Sequence, residues 1–543
     1  MMTLPWWQTT TIYQIYPRSY KDSNGDGIGD LRGIISKLDY IQDLGFETIW
    51  VSPFYASPQQ DFGYDVNDYY NIAPEYGALA DAEELIREVH KREMRILFDM
   101  VMNHTSIHHT WFQESRQSRK NEKSDWYLWE DGDGKRPPNN WKAIPGGSGW
   151  HYEKRRDQWY YTSFLPFQPD LNFRNPEVRK NMFDVVRFWL NKGVDGFRLD
   201  IFHAVYKDEY LRDNPFRFTL IPRDDMQGGF FQEWKYNLNQ PETFELAKEL
   251  GALAKSYSPP RMLIGEVFGL DVILKEYLGK ENDGLDLIFL WDLVRLQVGI
   301  RFFQEIIDHH EAHYPAPFMP VYVYGNHDQK RILSKIGGNL RLAKILALLQ
   351  FTVRGVPVVY YGEEIGMLEV DFPMSKAKDP IAQKYKWVPK LLRDLLDLYL
   401  NRDGCRTPMQ WDKSANAGFC ASGVKPWLPV HADYLATNVQ SEQEDGNSLL
   451  NVYKSILNLR KKHVALRAGS LELTKGTRVG EVLAYCREYS GEKILVVINF
   501  EEKTCSFMND SNCNQLLFEV GMEKPVQSKR IVLPPYSGVI LGQ

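Results

Sequence analysis

Several short apolar runs in this 543-residue chain end in residues that are costly to bury. GFRLD (196–200) ends on Asp200, RMLIGE (261–266) on Glu266 and PVYVYGNHD (320–328) on Asn326, His327 and Asp328. RILFDMVMNH (95–104) carries Asp99, Asn103 and His104. A carboxylate taken out of water without a partner is unfavourable. One such residue reads as a structural ion pair; several on successive runs read as one site. Three carboxylates around one pocket suit cleavage of a glycosidic bond. One serves as nucleophile, one as general acid and base, and one holds the sugar while positive charge develops on its ring. Arg198 stands two residues before Asp200, which in a strand puts both on one face. There its guanidinium would favour the ionised carboxylate. No Ser-His-Asp signature competes, and GGSG (146–149) is a weak phosphate cradle.

A second group of oxygens has a different spacing. DSNGDGIGD (22–30) places Asp22, Asn24, Asp26 and Asp30 at positions 1, 3, 5 and 9 of a calcium loop. Ile28 falls at position 7, where a backbone carbonyl serves. A sensor of the EF-hand type needs a helix on both sides and a bidentate Glu at position 12. Here an apolar, β-branched run precedes the loop and position 12 is Gly33. A structural cation loop and a plain polar turn remain.

These residues need elements to carry them. Eight apolar, β-branched runs recur, at 11–17, 48–53, 95–104, 196–200, 261–266, 285–290, 320–328 and 355–364. Amphipathic segments at 31–44, 82–93, 176–192, 242–256 and 339–353 follow most of them. Alternating strand and helix implies parallel strands, and eight units predict a closed (β/α)8 TIM barrel with its active site at the C-terminal ends of the strands. Residues 105–175 are too long for an ordinary loop and predict an inserted subdomain after the third strand. Residues 366–447 read as a second insertion, and Ser448 caps a final helix. The barrel then occupies 1–104 and 176–465, and from 466 to 543 short strands and turns predict an antiparallel β-sandwich.

The bulk properties narrow the partners. A net charge of −6 suggests neither nucleic acid nor an anionic membrane. No stretch is apolar for long enough to span a bilayer, and the N-terminus lacks the pattern of a signal peptide. Five cysteines without a CxxC pair fit a reducing cytoplasm. The 15 Trp, 30 Tyr and 28 Phe supply rings that stack on sugars or simply pack the core.

The motifs resemble glycoside hydrolase family 13, the α-amylase family, from about Ile12 to the C-terminus. Its four motifs are matched in order by DMVMNH (99–104), GFRLD (196–200), GEVF (265–268) and NHD (326–328). QPDLN (168–172), DFGYD (61–65), RTPMQW (406–411) and LPPYSGVIL (533–541) are similar to the oligo-1,6-glucosidase and α-glucosidase branch. The resemblance implies Asp200 as nucleophile, Glu266 as acid/base and Asp328 as the residue gripping the glucose 2- and 3-hydroxyls. It implies Asp61, Tyr64, His104, Gln168, Arg198, His327 and Arg406 as substrate-binding residues, with Asp61 and Arg406 closing the pocket behind the non-reducing end and Tyr64 stacking on the terminal glucose. It also implies a structural calcium, or magnesium in its place, on Asp22, Asn24, Asp26, Ile28 and Asp30, and no organic cofactor.

The expected activity is exo-acting, retaining hydrolysis of short malto- or isomalto-oligosaccharides by a monomer or homodimer. The alternative is a glucosyl transferase, an isomerase, or a sucrose- or trehalose-type hydrolase with the same site. Some relatives are non-catalytic partners of amino-acid transporters, but these would lose the carboxylates that this chain keeps. Ile201, β-branched after the nucleophile, leans towards α-1,6 bonds. Lys330 stands where relatives often have Pro, and residues 213–231 are expected near the leaving group.

Overall fold

The structure is a computed structural model and describes residues 4–222, 227–474, 482–523 and 529–543. Its centre is a parallel sheet of eight strands: β1 (Ile12–Ile15), β2 (Thr48–Val51), β3 (Arg95–Val101), β4 (Gly196–Asp200), β5 (Met262–Gly265), β6 (Leu287–Ile288), β7 (Val321–Val323) and β8 (Val356–Tyr360). The ladder runs β6-β5-β4-β3-β2-β1-β8-β7, and a parallel bridge from Leu290 to Tyr322 brings its two ends together. The (β/α)8 expectation holds.

The period of two along each strand decides which side chains face the barrel interior. Ile12, Trp50, Leu97, Met262, Ile264, Val321, Val323, Val356 and Val358 pack in one inner cluster. Their neighbours Tyr13, Ile49, Val51, Phe98, Phe197 and Leu199 pack outward among the helices. Counting on by two from these inner positions reaches Asp99 and Glu266. The outward Phe197 and Leu199 leave Arg198 and Asp200 facing in. The register pairs Asp99 with Arg198, Val101 with Asp200 and Ile264 with Arg198. The same rule that fills the core therefore gathers the charged residues at one mouth.

Helices at Leu79–Lys91, Pro176–Asn191, Pro241–Lys255, Leu340–Thr352 and Leu449–Lys462 follow the predicted segments. Asn175 caps one of them, its side chain accepting from Glu177 N, with Pro176 in the first turn. Ser448 caps the last through Asn451 N. The predicted helix at 31–44 is broken into Leu31–Ile35 and Leu38–Leu44. Ser36 Oγ donates to Gly33 O at 2.7 Å and competes with the helical ladder there. The predicted strands at 285–290 and 320–328 shorten to β6 and β7, and in the second the later residues Asn326 and Asp328 leave the ladder for the pocket. Asn326 Oδ1 turns the chain by accepting from Asp328 N at 2.9 Å.

The insertion after β3 contains a three-stranded antiparallel sheet of Trp129–Glu130, Gln158–Tyr161 and Trp150–Glu153. It returns along the end of β3 through a bridge between His104 and Asp170. The segment after β8 adds short helices at Pro380–Lys384 and Lys390–Leu395 and a turn at Arg402–Gly404. The C-terminal region is a five-stranded antiparallel sheet faced by the pair Cys505–Met508 and Arg530–Leu533. Leu495 and Val497 from one sheet and Phe507, Ile531 and Leu533 from the other share one core, as a sandwich requires.

Candidate active site

One guanidinium organises the floor of the pocket. Arg198 Nη1 donates to Asp99 Oδ1 at 2.8 Å and to Asp200 Oδ1 at 2.6 Å, and Nη2 pairs with Glu266 Oε2 at 2.7 Å. All four side chains are buried. Asp99 Oδ2 accepts from Trp50 Nε1 and Tyr64 Oη, both at 3.2 Å. Burial pushes Asp200 up to about 7 although Arg198 opposes it, and Asp99 adds to the rise. Burial likewise pushes Glu266 up to about 7, against Arg198 and the Ile201 amide. A carboxylic acid that keeps its proton near neutrality suits a general acid. The arginine beside Asp200 lowers the barrier to its ionisation without cancelling the burial.

The turn after Asp200 is strained. Ile201 sits at φ 31° and ψ 44°, a left-handed conformation that a β-branched side chain avoids. That conformation aims Ile201 N at Glu266 Oε2, 2.9 Å away. The backbone after Asp200 thus positions Glu266.

Asp328 lies on the opposite side with 28% of its side chain exposed to the cavity. Burial alone would raise it, but His327, Arg402 and Arg406 hold it well below the usual carboxylate range. His327 Nε2 is 3.0 Å from Asp328 Oδ2 and 2.6 Å from Tyr64 Oη, and its ring stacks on Tyr64 at 5.3 Å. Gln14 Nε2 lies 2.8 Å from His327 Nδ1, which makes Nδ1 the acceptor and leaves the proton on Nε2. Burial lowers His327 to about 4 and His104 to about 4, so both are neutral imidazoles.

Asp61, Tyr64, His104 and Gln168 line the cavity with Asp200, Glu266 and Asp328. Arg198, His327 and Arg406 do not; they stand behind the lining and hold it. Arg406 is fully buried, donating from Nη2 to Asp328 Oδ1 at 2.6 Å and from Nε to His327 O at 2.7 Å. The arginine that faces the pocket beside Asp61 is Arg402, which the sequence reading missed. Its Nη2 pairs with Asp61 Oδ1 at 2.8 Å and with Asp379 at 2.7 Å, and its Nη1 with Asp328 Oδ1 at 3.1 Å. Gln168 Nε2 donates to the other Asp61 oxygen at 3.2 Å. The arginine paired with Asp61 is therefore Arg402, and the expected Arg406 pairs with Asp328 instead. Phe268 and Trp291, also unflagged, stack at 5.1 Å on another side of the cavity. Of residues 213–231, positions 223–226 lie outside the described residues; Phe230 packs beside Ile201.

The sequence profile described as "Alpha amylase, catalytic domain" matches residues 14–469. The chain belongs to the α-amylase family. Among its relatives, the oligo-1,6-glucosidase of Bacillus cereus is 35% identical over 99% of both chains. Maltase 1 of Drosophila virilis is 38% identical over 92% of this chain and 79% of its own. Among solved structures, the α-glucosyl transfer enzyme XgtA superposes with a TM-score of 0.89 at 36% identity, covering 99% of this chain and all of its own. The trehalulose synthase MutB of Pseudomonas mesoacidophila MX-45 gives 0.89 at 32% identity over 99% of this chain and all of its own. Among the described residues, no helix is long and apolar enough to cross a membrane.

In this α-amylase-family chain the loop at 22–30 leads from the β1 segment to the helix at Leu31–Ile35. Asp22 Oδ1 accepts from Asn24 N and Gly25 N, and Oδ2 from Gly27 N at 2.9 Å. Asp26 Oδ1 accepts from Ile28 N at 2.8 Å. Gly27, at position 6, has φ +86°, and a Cβ there would meet Lys425 O at 2.2 Å. A sharp glycine turn at that position is what a calcium loop uses. Asp30 accepts from Ser23 N, Ser23 Oγ and Gly33 N. Each carboxylate keeps spare lone pairs beside these bonds, so the donor set fits a hard cation.

Proposed function

We infer that this glycoside hydrolase is an exo-acting, retaining α-glucosidase that releases single glucose units from short α-linked oligosaccharides. The observation that carries the reading is the wall made by Asp61, Arg402 and Asp328. It crosses a cavity of about 230 Å³, smaller than the roughly 300–1,000 Å³ of pockets for larger ligands. Such a wall leaves a terminal sugar no room to continue behind it.

Asp200 attacks the anomeric carbon and forms a β-linked glucosyl ester, while Glu266 gives its proton to the departing oxygen. Glu266 then takes a proton from water, which attacks the same carbon and frees Asp200. Two inversions return the α-anomer. Asp328, held ionised by its two arginines and His327, binds two sugar hydroxyls and steadies the positive ring. His104, whose Nε2 donates to Tyr64 O at 3.1 Å, holds Tyr64 in place, and Tyr64 supplies the ring under the sugar.

Ile201 and the likeness to oligo-1,6-glucosidases support α-1,6 bonds as the preferred linkage. Likeness to a glucosyl-transfer enzyme and to a trehalulose synthase supports transfer as the second reading. Products from maltose, isomaltose, sucrose and trehalose separate the two: glucose without rearranged disaccharide supports hydrolysis, and new disaccharides from the same glucosyl ester support transfer. We also assign Asp22, Asn24, Asp26, the Ile28 carbonyl and Asp30 to a structural Ca2+ or Mg2+, remote from the chemical step. The cysteine usage supports a cytoplasmic setting.

A further inference from the structure

We propose that Asp271, His309 and His313 form a binding site for a divalent transition metal of the zinc class, outside the catalytic pocket and joined to its rim. His309 and His313 lie one turn apart on the helix Ile300–His313, so both project from one face. Asp271 is the first residue of the helix Asp271–Leu278. His309 Nε2 is 2.8 Å from Asp271 Oδ2, and His313 Nδ1 is 3.7 Å from the same oxygen. The three ligand atoms all lie within 4.8 Å of one another. Ligand atoms about 2.0–2.1 Å from a tetrahedral zinc stand roughly 3.3–3.4 Å apart, and the two measured separations straddle that value.

A hydrogen-bonded Asp271–His309 pair accounts for two of the three groups. It does not account for His313, whose ring nitrogen faces the same oxygen from beyond hydrogen-bond range. Two imidazoles and one carboxylate form the donor set of a borderline metal, not of calcium or magnesium. With His309 33% and His313 44% exposed, a fourth position opens to water.

Further polar groups stand around the three ligands. His309 Nδ1 faces Asp292 Oδ1 at 3.9 Å, and His310 Nε2 holds the other Asp292 oxygen at 3.1 Å. Tyr314 Oη donates to the remaining oxygen of Asp271 at 2.8 Å. A hydrogen bond to a ligating carboxylate, as from Tyr314 to Asp271, fixes its orientation.

The site also has a structural lever. Asp292 follows Trp291 in sequence, and Asp271 lies three residues after Phe268; these two rings stack and line the catalytic cavity. A cation tying Asp271 to the His309 helix braces the segments that hold both rings.

The test uses the untagged full chain, stripped with EDTA, dialysed, and titrated with ZnCl2 by calorimetry and with CoCl2 by visible absorption. One equivalent of zinc and a visible cobalt band are expected. His313→Ala and His313→Gln should abolish the band and weaken zinc binding at least tenfold. Asp22→Ala, in the first loop, should leave both signals unchanged. Absence of zinc binding by the wild-type chain overturns the proposal. So does a His313→Gln protein that turns over isomaltose normally and binds zinc as tightly as wild type.

Discussion

The acids around Arg198 and the acids of the loop at 22–30 are alike in type and unlike in surroundings. Asp99, Asp200 and Glu266 sit inside the barrel mouth, share one guanidinium and are pushed upward by burial. Asp22, Asp26 and Asp30 fold back on amides of their own loop, and Asn24 and Asp26 face water. Desolvation with one shared cation makes carboxylates whose proton can move near neutral pH. Backbone donors around a partly wet loop make carboxylates that shape a turn and offer spare lone pairs. Residue type proposes the chemistry, and the local dielectric and the partners select it.

The contrast can be broken first at the nucleophile. Asp200→Asn should lower kcat on isomaltose on the order of 10⁴-fold or more while the fold, followed by circular dichroism, survives. Retained activity would remove Asp200 from the reaction. Next comes the wall. Arg402→Ala leaves Asp61, Asp379 and Asp328 facing one another, and removing one partner from such a buried group costs about 3–5 kcal/mol. A clear fall in Tm and in kcat/KM is expected, measured by calorimetry and glucose release. Asp61→Asn keeps the shape and should lower kcat/KM by about 10- to 100-fold, matching roughly 1.5–3 kcal/mol for a hydrogen bond to a charged group.

A finer test reads the pH profile of kcat/KM. Asp200 must ionise and Glu266 must stay protonated, so with both near 7 the profile is a narrow bell about neutrality. Asp99 raises Asp200 by its charge, so Asp99→Asn should move the acid limb to lower pH. An acid limb that stays in place would separate Asp99 from the nucleophile. The smallest effect belongs to the loop. Chelation should lower Tm, at roughly 2–4 °C per kcal/mol for a large domain, before it changes turnover at low temperature. Turnover lost before stability would give the loop a part in the reaction.

What could be read from the sequence follows from how local each determinant is. Asp99, Arg198, Asp200 and Glu266 were legible because each strand alternates in and out, and the apolar residues before them fix the phase. The eight strands were legible for the same reason. The helices at Leu79–Lys91, Pro176–Asn191, Pro241–Lys255 and Leu340–Thr352 were legible from their amphipathic spacing and Leu449–Lys462 from its cap at Ser448, whereas Asp271–Leu278 and Ile300–His313 were not read. Arg402 was not. Its direction is set by a short turn that Asn401 caps and by Asp379, which lies 23 residues earlier in the same insertion. Arg406 stood in a recognisable motif and drew the assignment, while the insertion's own folding turned it inward against Asp328. The local signal for Arg402 was the turn-forming Asn401-Arg402-Asp403-Gly404, which marks a bend but not what the bend points at. The strands Ser470–Leu473 and Gln515–Val520 escaped notice because their burial patterns are largely exposed and carry little apolar alternation.

The central claim is that Asp200 and Glu266 act in two successive inversions on a terminal glucose. The most direct measurement follows the anomer released from isomaltose by proton NMR in the first turnovers, before mutarotation. α-Glucose as the first product is the predicted result. β-Glucose as the first product would contradict it, because a single displacement by water yields the β-anomer and two displacements do not.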